Sequence, residues 1–247
     1  MKAKAAGRLV IAAVLLCSCA VPAIADTRTE VGIFTAVAGG THVGADNPPV
    51  SGLFPIAALD VRQHVNGVWL QFEGIPPITV SGANNGAFGS SSAHLSVVNG
   101  TVNVDLDRHR RYHLGAGFQL VNLSNFNGEN GDRNYARETT PIYRVGATLP
   151  LPHLQFVELN LMVDPNVRAT LYAVTNTGVP EPTKPEQGAE VDYSAAYGWR
   201  RGMIEYLVGL RGLSYHTRNN DRPGELVDRN VGGGVTFEAR FLFGPKE

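Results

Sequence analysis

Cysteine is nearly missing from this 247-residue chain, and the two it has, Cys17 and Cys19, lie within the first twenty positions. Beyond residue 25 the chain has no thiol. That removes disulfides, cysteine-ligated metals and iron–sulfur clusters, and thiol catalysis from that part. Long apolar runs are lacking as well. After residue 25 none approaches the ~20 residues that a spanning helix requires, and hydropathy is close to neutral. An excess of one charge is also missing: 21 lysines and arginines face 22 acids. Three of those bases (Lys2, Lys4, Arg8) and none of the acids precede residue 26, so the remainder is acidic by four. No basic face points to nucleic acid. There is no Walker loop, dinucleotide fingerprint, His-Glu-x-x-His or Gly-x-Ser-x-Gly, so no motif calls for a cofactor.

The N-terminus reads as a secretory signal peptide over residues 1–25. Lys2, Lys4 and Arg8 supply the positive start, Leu9–Leu16 the apolar run, and Ala23-Ile24-Ala25 the small residues before cleavage between Ala25 and Asp26. A lipoprotein signal using Cys19, or a retained helical anchor, are the alternatives. The expected mature part, 26–247, has the length of one all-β domain.

Its dominant pattern is a period of two. Tyr112, Leu114, Ala116, Phe118 and Leu120 alternate with His113, Gly115, Gly117 and Gln119. Val191, Tyr193, Ala195, Tyr197 and Trp199 alternate with Glu190, Asp192, Ser194 and Ala196. Val235, Phe237, Ala239, Phe241 and Phe243 alternate with Thr236, Glu238 and Arg240. A helix repeats every 3.6 residues and does not produce this. Ten strands are expected, over 30–40, 54–65, 68–80, 92–106, 110–123, 139–149, 153–175, 188–199, 203–217 and 229–243. Eight or twelve are also compatible. Val98-Asn99-Gly100-Thr101 fits a hairpin or a bulge, and Asp164-Pro165-Asn166 is a potential break, because proline cannot donate to a ladder.

Connections alternate in length. Asn66-Gly67, Asp107–Arg110, Pro150–His153 and Arg200–Gly202 are short, and Asn-Gly favours a type I′ hairpin. Thr41–Leu53, Ser81–Ser91, Ser124–Glu138, Asn176–Gly188 and Arg218–Asp228 are long and rich in Gly, Asn, Asp, Pro and Ser. Short turns on one rim and long loops on the other is the anatomy of a single antiparallel up-and-down transmembrane β-barrel.

Alternation does not say which face points outward, but three features favour an apolar face turned to lipid over the inward apolar face of a soluble barrel. The polar phase carries Asp60, Arg62, Glu73, Asp105, Arg144, Glu158, Glu190, Asp192, Glu205, Arg211, Glu238 and Arg240 among glycines such as Gly115, Gly117, Gly146 and Gly209. A narrow lumen needs paired charges beside small residues, whereas a solvated face has no use for so many glycines. Tyr112, Tyr197, Trp199, Tyr206, Phe241 and Phe243 gather on the apolar phase near the short turns, as an aromatic belt at a membrane interface does. The last alternating strand, Gly233 to Phe243, resembles the C-terminal signal of bacterial outer-membrane barrel proteins, departing from the strict form in the Gly244-Pro245-Lys246-Glu247 that follows. The resemblance covers the whole mature chain as architecture and this strand as a motif. It implies recognition of this strand by the barrel-assembly machinery.

Some barrels of that class are enzymes: lipid A deacylases use Ser, His and an acid, and omptin proteases use Asp and His near the outer rim. His94 and Ser96 sit two residues apart beside a long loop, the minimum pairing for an activated nucleophile, with no acid identifiable to orient the histidine. Asp105 and Asp107 form a carboxylate pair at the short-turn end. His42, His94 and His216, with Glu190 and Asp192, form a candidate rim group that would bind a metal or titrate if it converged.

The expected function is therefore that of an outer-membrane β-barrel protein with a structural, surface-binding or narrow-channel role, in contact with outer-membrane lipid and lipopolysaccharide. The alternatives are an outer-membrane hydrolase and a soluble, periplasmic ligand-binding barrel. At about ten strands inward side chains fill the bore, which argues against a wide porin.

Overall fold

A computed structural model describes residues 27–44, 50–81, 92–128, 131–137, 140–174, 180–182, 186–218 and 226–244. The expected signal peptide and its Ala25/Asp26 cleavage site lie outside them. The described residues form twelve strand segments and no helix: β1 (Thr27–Gly44), β2 (Val50–Val65), β3 (Val68–Ser81), β4 (Ser92–Asp105), β5 (Tyr112–Gly128), β6 (Gly131–Arg137), β7 (Thr140–Leu151), β8 (Gln155–Val174), β9 (Pro180–Pro182), β10 (Glu186–Arg201), β11 (Ile204–Arg218) and β12 (Leu226–Phe243).

All pairings are antiparallel, and the β8–β10 and β12–β1 ladders close the sheet on itself. Both β6 and β7 lie between β5 and β8. They are two stretches of one descending strand. β9 continues the line of β10 against β8. The wall therefore has ten strands, and the fold is an up-and-down barrel. Closure gives every strand a neighbour on both sides, as backbone in a hydrocarbon layer requires, and the β2–β3 ladder is short, running from Leu59 opposite Gly74 to Val65 opposite Val68.

The strands run further toward the long-loop rim than alternation suggested. Residues 124–128 and 131–137, expected in a loop, pair with each other, and 133–137 pair with β8. At the rim a ladder needs backbone partners but no apolar alternation, so the hydrophobic pattern fades before the pairing does. Val98–Thr101 is no hairpin: β4 passes straight through it, paired to β3 and β5. The phase switch there comes from Val97 sharing the inner-face phase with Asn99. Nor does Asp164-Pro165-Asn166 break β8. It is a bulge, where the β8–β10 register jumps between Gly188 and Glu190 and the Asn166 N–H donates to Asp164 Oδ1 at 3.1 Å.

Short turns behave as their residues dictate. Asn66 and Gly67 both have positive φ (51° and 80°), as a type I′ hairpin needs. In the β4–β5 turn the Asp107 carboxylate accepts the Arg111 N–H (2.6 Å), the Tyr112 N–H (3.1 Å) and Arg111 Nε (3.1 Å). Desolvation opposes ionisation, but these donors outweigh it and hold the carboxyl below its ordinary value of 3.8. A carboxyl lowered on folding stabilises above that unfolded value and loses the contribution as pH falls through its folded value. Titration followed by NMR should therefore show this turn loosening only below about pH 4, and Asp107→Asn should abolish that step.

Faces separate cleanly. Phe118, Val191 and Phe237 are 38, 36 and 53% exposed, while Glu190 and Glu158 are 3 and 6% exposed. The apolar phase is outside and the charged phase fills the bore.

Candidate functional site

Inward parity brings together side chains from strands on opposite sides of the barrel. At the centre is Glu158 of β8. Its Oε1 accepts Arg62 Nη2 (3.0 Å) and Asn160 Nδ2 (3.1 Å); its Oε2 accepts Arg62 Nη1 (3.2 Å) and Arg240 Nη1 (3.1 Å). One carboxylate thus joins β2, β8 and β12 across the lumen. Arg62 also donates to Asp60 (2.8 Å), which accepts Gln71 Nε2 (2.8 Å). Arg240 reaches Glu238 (3.0 Å), Glu205 (3.4 Å) and Glu30 (3.6 Å). Glu30 is held further by Arg28 and lies 3.0 Å from His64 Nε2. Arg144 bonds Gln71 and Asn160.

Below this knot, toward the short turns, Trp69 stands inside the bore. His64 stacks on it (5.2 Å between centroids), His113 meets it edge-on (5.0 Å), and Arg62 and Arg144 lie over its ring at 5.6 and 5.7 Å. Its indole N–H donates to Asp105 Oδ1 at 3.1 Å. Charges in a low-dielectric wall persist only when paired and hydrogen-bonded, and these are.

Above the knot lies a polar cavity of about 90 Å³, bounded by Glu73, Asn99, Arg144, Asp192, Arg211 and Glu238. Arg211 pairs with Glu73 at 2.6 Å and reaches Asp192 at 3.8 Å. Higher still, Gln119 donates to Glu190 at 3.1 Å.

Glycines make this packing possible. A Cβ at Gly146 would run into the His113 ring and Asn160 Oδ1, and one at Gly115 into Asn103 Oδ1. Gly146→Val should cost about 1–3 kcal/mol by prising His113 and Asn160 apart. A lowered unfolding midpoint in urea checks it; an unchanged midpoint contradicts it.

The structure thus places all twelve charges that the sequence assigned to the polar phase (Asp60, Arg62, Glu73, Asp105, Arg144, Glu158, Glu190, Asp192, Glu205, Arg211, Glu238, Arg240) on the inner phase, and each has a partner among the others or in Trp69, Gln71, Gln119, Asn160 or Glu30. Sequence reasoning missed Glu30, Trp69, Gln71 and His113 as members of the same network. Parity would have found them, since Trp69 and Gln71 share the phase of Glu73. The nominated aromatics lie on the outer phase at the short-turn half: Tyr112, Tyr197, Trp199, Phe241 and Phe243 are exposed, and Tyr206 stacks on Trp199 at 5.7 Å.

The nominated rim group is divided by the wall at His216. His216 falls on the outward phase of β11 with Val208 and Leu210, on the other side of the wall from Glu190 and Asp192. Among the described residues no three His, Cys, Asp or Glu side chains are placed to hold a metal ion. His42 lies opposite Val50 and Asn230, and His94 opposite Thr79 and Ser124, so neither has a carboxylate as cross-strand neighbour; their side chains lie outside the described residues. Ser96 is half-buried opposite Asn122.

No protein-family model and no curated protein matches the sequence. Among solved structures the chain is similar to bacterial outer-membrane β-barrels. It superposes on the outer membrane protease OmpT from Escherichia coli with a TM-score of 0.55 at 9% identity, covering 89% of this chain and 97% of that one. Neisserial surface protein A gives a TM-score of 0.41 at 9% identity, covering 86% and 96%. The P. putida toluene transporter TodX gives 0.31 at 9%, covering 91% of each. At such identity the likeness is one of fold: the chain has the architecture of the outer-membrane barrels.

Proposed function

We propose that this protein is a non-enzymatic outer-membrane barrel whose bore is shut by its own ion-pair network, and that it acts through its outer wall and its long-loop rim. The observation that carries this reading is the Glu158 knot. It spans the lumen from β2 to β8 to β12 with every carboxylate lone pair engaged by a fixed donor. An aqueous path would have to break several buried charge-assisted bonds at once.

Export by the N-terminal signal, assembly through the Gly233–Phe243 strand, and contact with lipopolysaccharide at the long-loop end complete the proposal. An outer apolar face rimmed by Tyr112, Trp199 and Phe243 supports placement in a membrane.

Reconstituted in planar bilayers, the folded protein should give no stepwise conductance. Regular porin-sized steps would contradict a shut bore. In cells it should sediment with the outer membrane and migrate differently before and after heating; release with the periplasm would instead favour the soluble alternative.

A further inference from the structure

The short-turn rim combines two features that water alone does not favour. Three turns follow one another along one arc, because β4, β5, β7, β8, β10 and β11 are successive neighbours in the wall. They are also tied together: the Thr148 N–H donates to the Arg111 carbonyl (2.7 Å) and the Arg200 N–H to the Leu154 carbonyl (2.9 Å). Each turn presents an exposed apolar side chain: Leu106, Leu154 at 68% and Met203 at 60%.

The same arc is rich in arginine: Arg108, Arg110, Arg111, Arg200 and Arg201, against Asp105 and Asp107. Those acids are committed, Asp105 to Trp69 and Arg110 and Asp107 to Arg111. Arg108 and Arg201 are exposed. Directly behind them, on the outer wall, stand Tyr112 and the Tyr197–Trp199–Tyr206 aromatic stack, with ring spacings of 6.1 and 5.7 Å.

Apolar tips among arginines, backed by amphipathic aromatics, match a phospholipid interface. The tips enter the acyl boundary, the rings sit at the headgroups, and the guanidinium groups face phosphate. We infer that this arc is a binding surface for anionic phospholipid headgroups, of the phosphatidylglycerol kind, in the leaflet at the short-turn end. The inference rests on the membrane-spanning reading above and adds a lipid preference confined to one arc. A zwitterionic headgroup offers the same phosphate but cancels its charge with an ammonium group, so the surplus arginines select against it.

Two tryptophans make the test clean. Trp69 is enclosed in the bore and Trp199 faces outward within the patch, so quenching by bromine on lipid chains reports on Trp199. The full-length folded protein is placed in phosphatidylcholine vesicles containing equal fractions of either brominated phosphatidylglycerol or brominated phosphatidylcholine. Expected is stronger quenching by the anionic lipid, with a relative association constant of roughly fivefold or more. High salt and Arg108→Ser/Arg201→Ser should each bring that ratio close to one while the protein stays inserted. Equal quenching by both lipids in the unaltered protein overturns the inference and leaves the spanning reading intact. If neither lipid quenches and no heat-modifiable band forms, the spanning reading fails, and this inference fails with it.

Discussion

Replacing Glu158 with alanine should lower the stability of the folded barrel by about 3–5 kcal/mol, the cost of leaving a buried ion pair half-broken. Its carboxylate is the meeting point of Arg62 and Arg240. Without it Arg62 keeps Asp60 and the Trp69 ring, and Arg240 keeps Glu238, Glu205 and Glu30. Two buried guanidinium groups then lose the carboxylate they share. Glu158→Gln should fall between, because an amide oxygen still accepts from one arginine but carries no charge. Glu158→Ala/Arg62→Ala should lose less than the two single changes added together, since it removes one stranded cation with its partner. The temperature at which the heat-modifiable band converts, or a urea midpoint in detergent, reads the series. Additive losses would mean that the knot is not a unit.

An arginine on the outer wall should be tolerated or rejected according to its depth. Phe237 is half exposed near the middle of β12, paired with Thr35 and Val208. Phe237→Arg should cost about 2–4 kcal/mol if that position lies at the bilayer midplane, while Phe243→Arg at the rim should cost about 0–1 kcal/mol. In a soluble barrel the order would vanish, because an arginine replacing an exposed phenylalanine stays in water, and such surface changes usually lie within about 0.5 kcal/mol. Equal, small effects at both positions would therefore speak for the periplasmic alternative.

Much of the architecture was legible because a barrel wall alternates by geometric necessity. Each strand crossing between two environments must put every second residue toward each, so Tyr112–Leu120 and Val235–Phe243 announce the strands, while the direction of the faces had to be read from the charges and glycines on the other phase. The turns were legible through chemistry: Asn66-Gly67 supplies two positive φ angles where a two-residue hairpin demands them. Where the sequence misled, the cause was local. The stretches 124–128 and 131–137 are polar and glycine-bearing like a loop, yet they pair with each other, and 133–137 with β8, because the rim rewards backbone hydrogen bonds alone. Proline at 165 looked like a break and is a bulge.

Partnership was the part least readable. Parity puts Arg62, Glu158 and Arg240 on the inner face, but it does not say that residues separated by 96 and 82 positions share one carboxylate. That depends on barrel closure and stagger, which no local pattern encodes. The rim histidines show the reverse case. Their composition suggested a cluster, and register places His216 on the outer phase.

The account turns on which face meets lipid, and a nitroxide scan along β12 tests this most directly. Single cysteines at 234 to 239 carry the spin label in reconstituted protein, and collisions with oxygen, which dissolves in hydrocarbon, are compared with those of a water-soluble nickel complex. Oxygen should dominate at 235, 237 and 239, with a minimum for both reagents at 236 and 238. A nickel maximum at 237 with oxygen excluded would place that face in water and contradict the account.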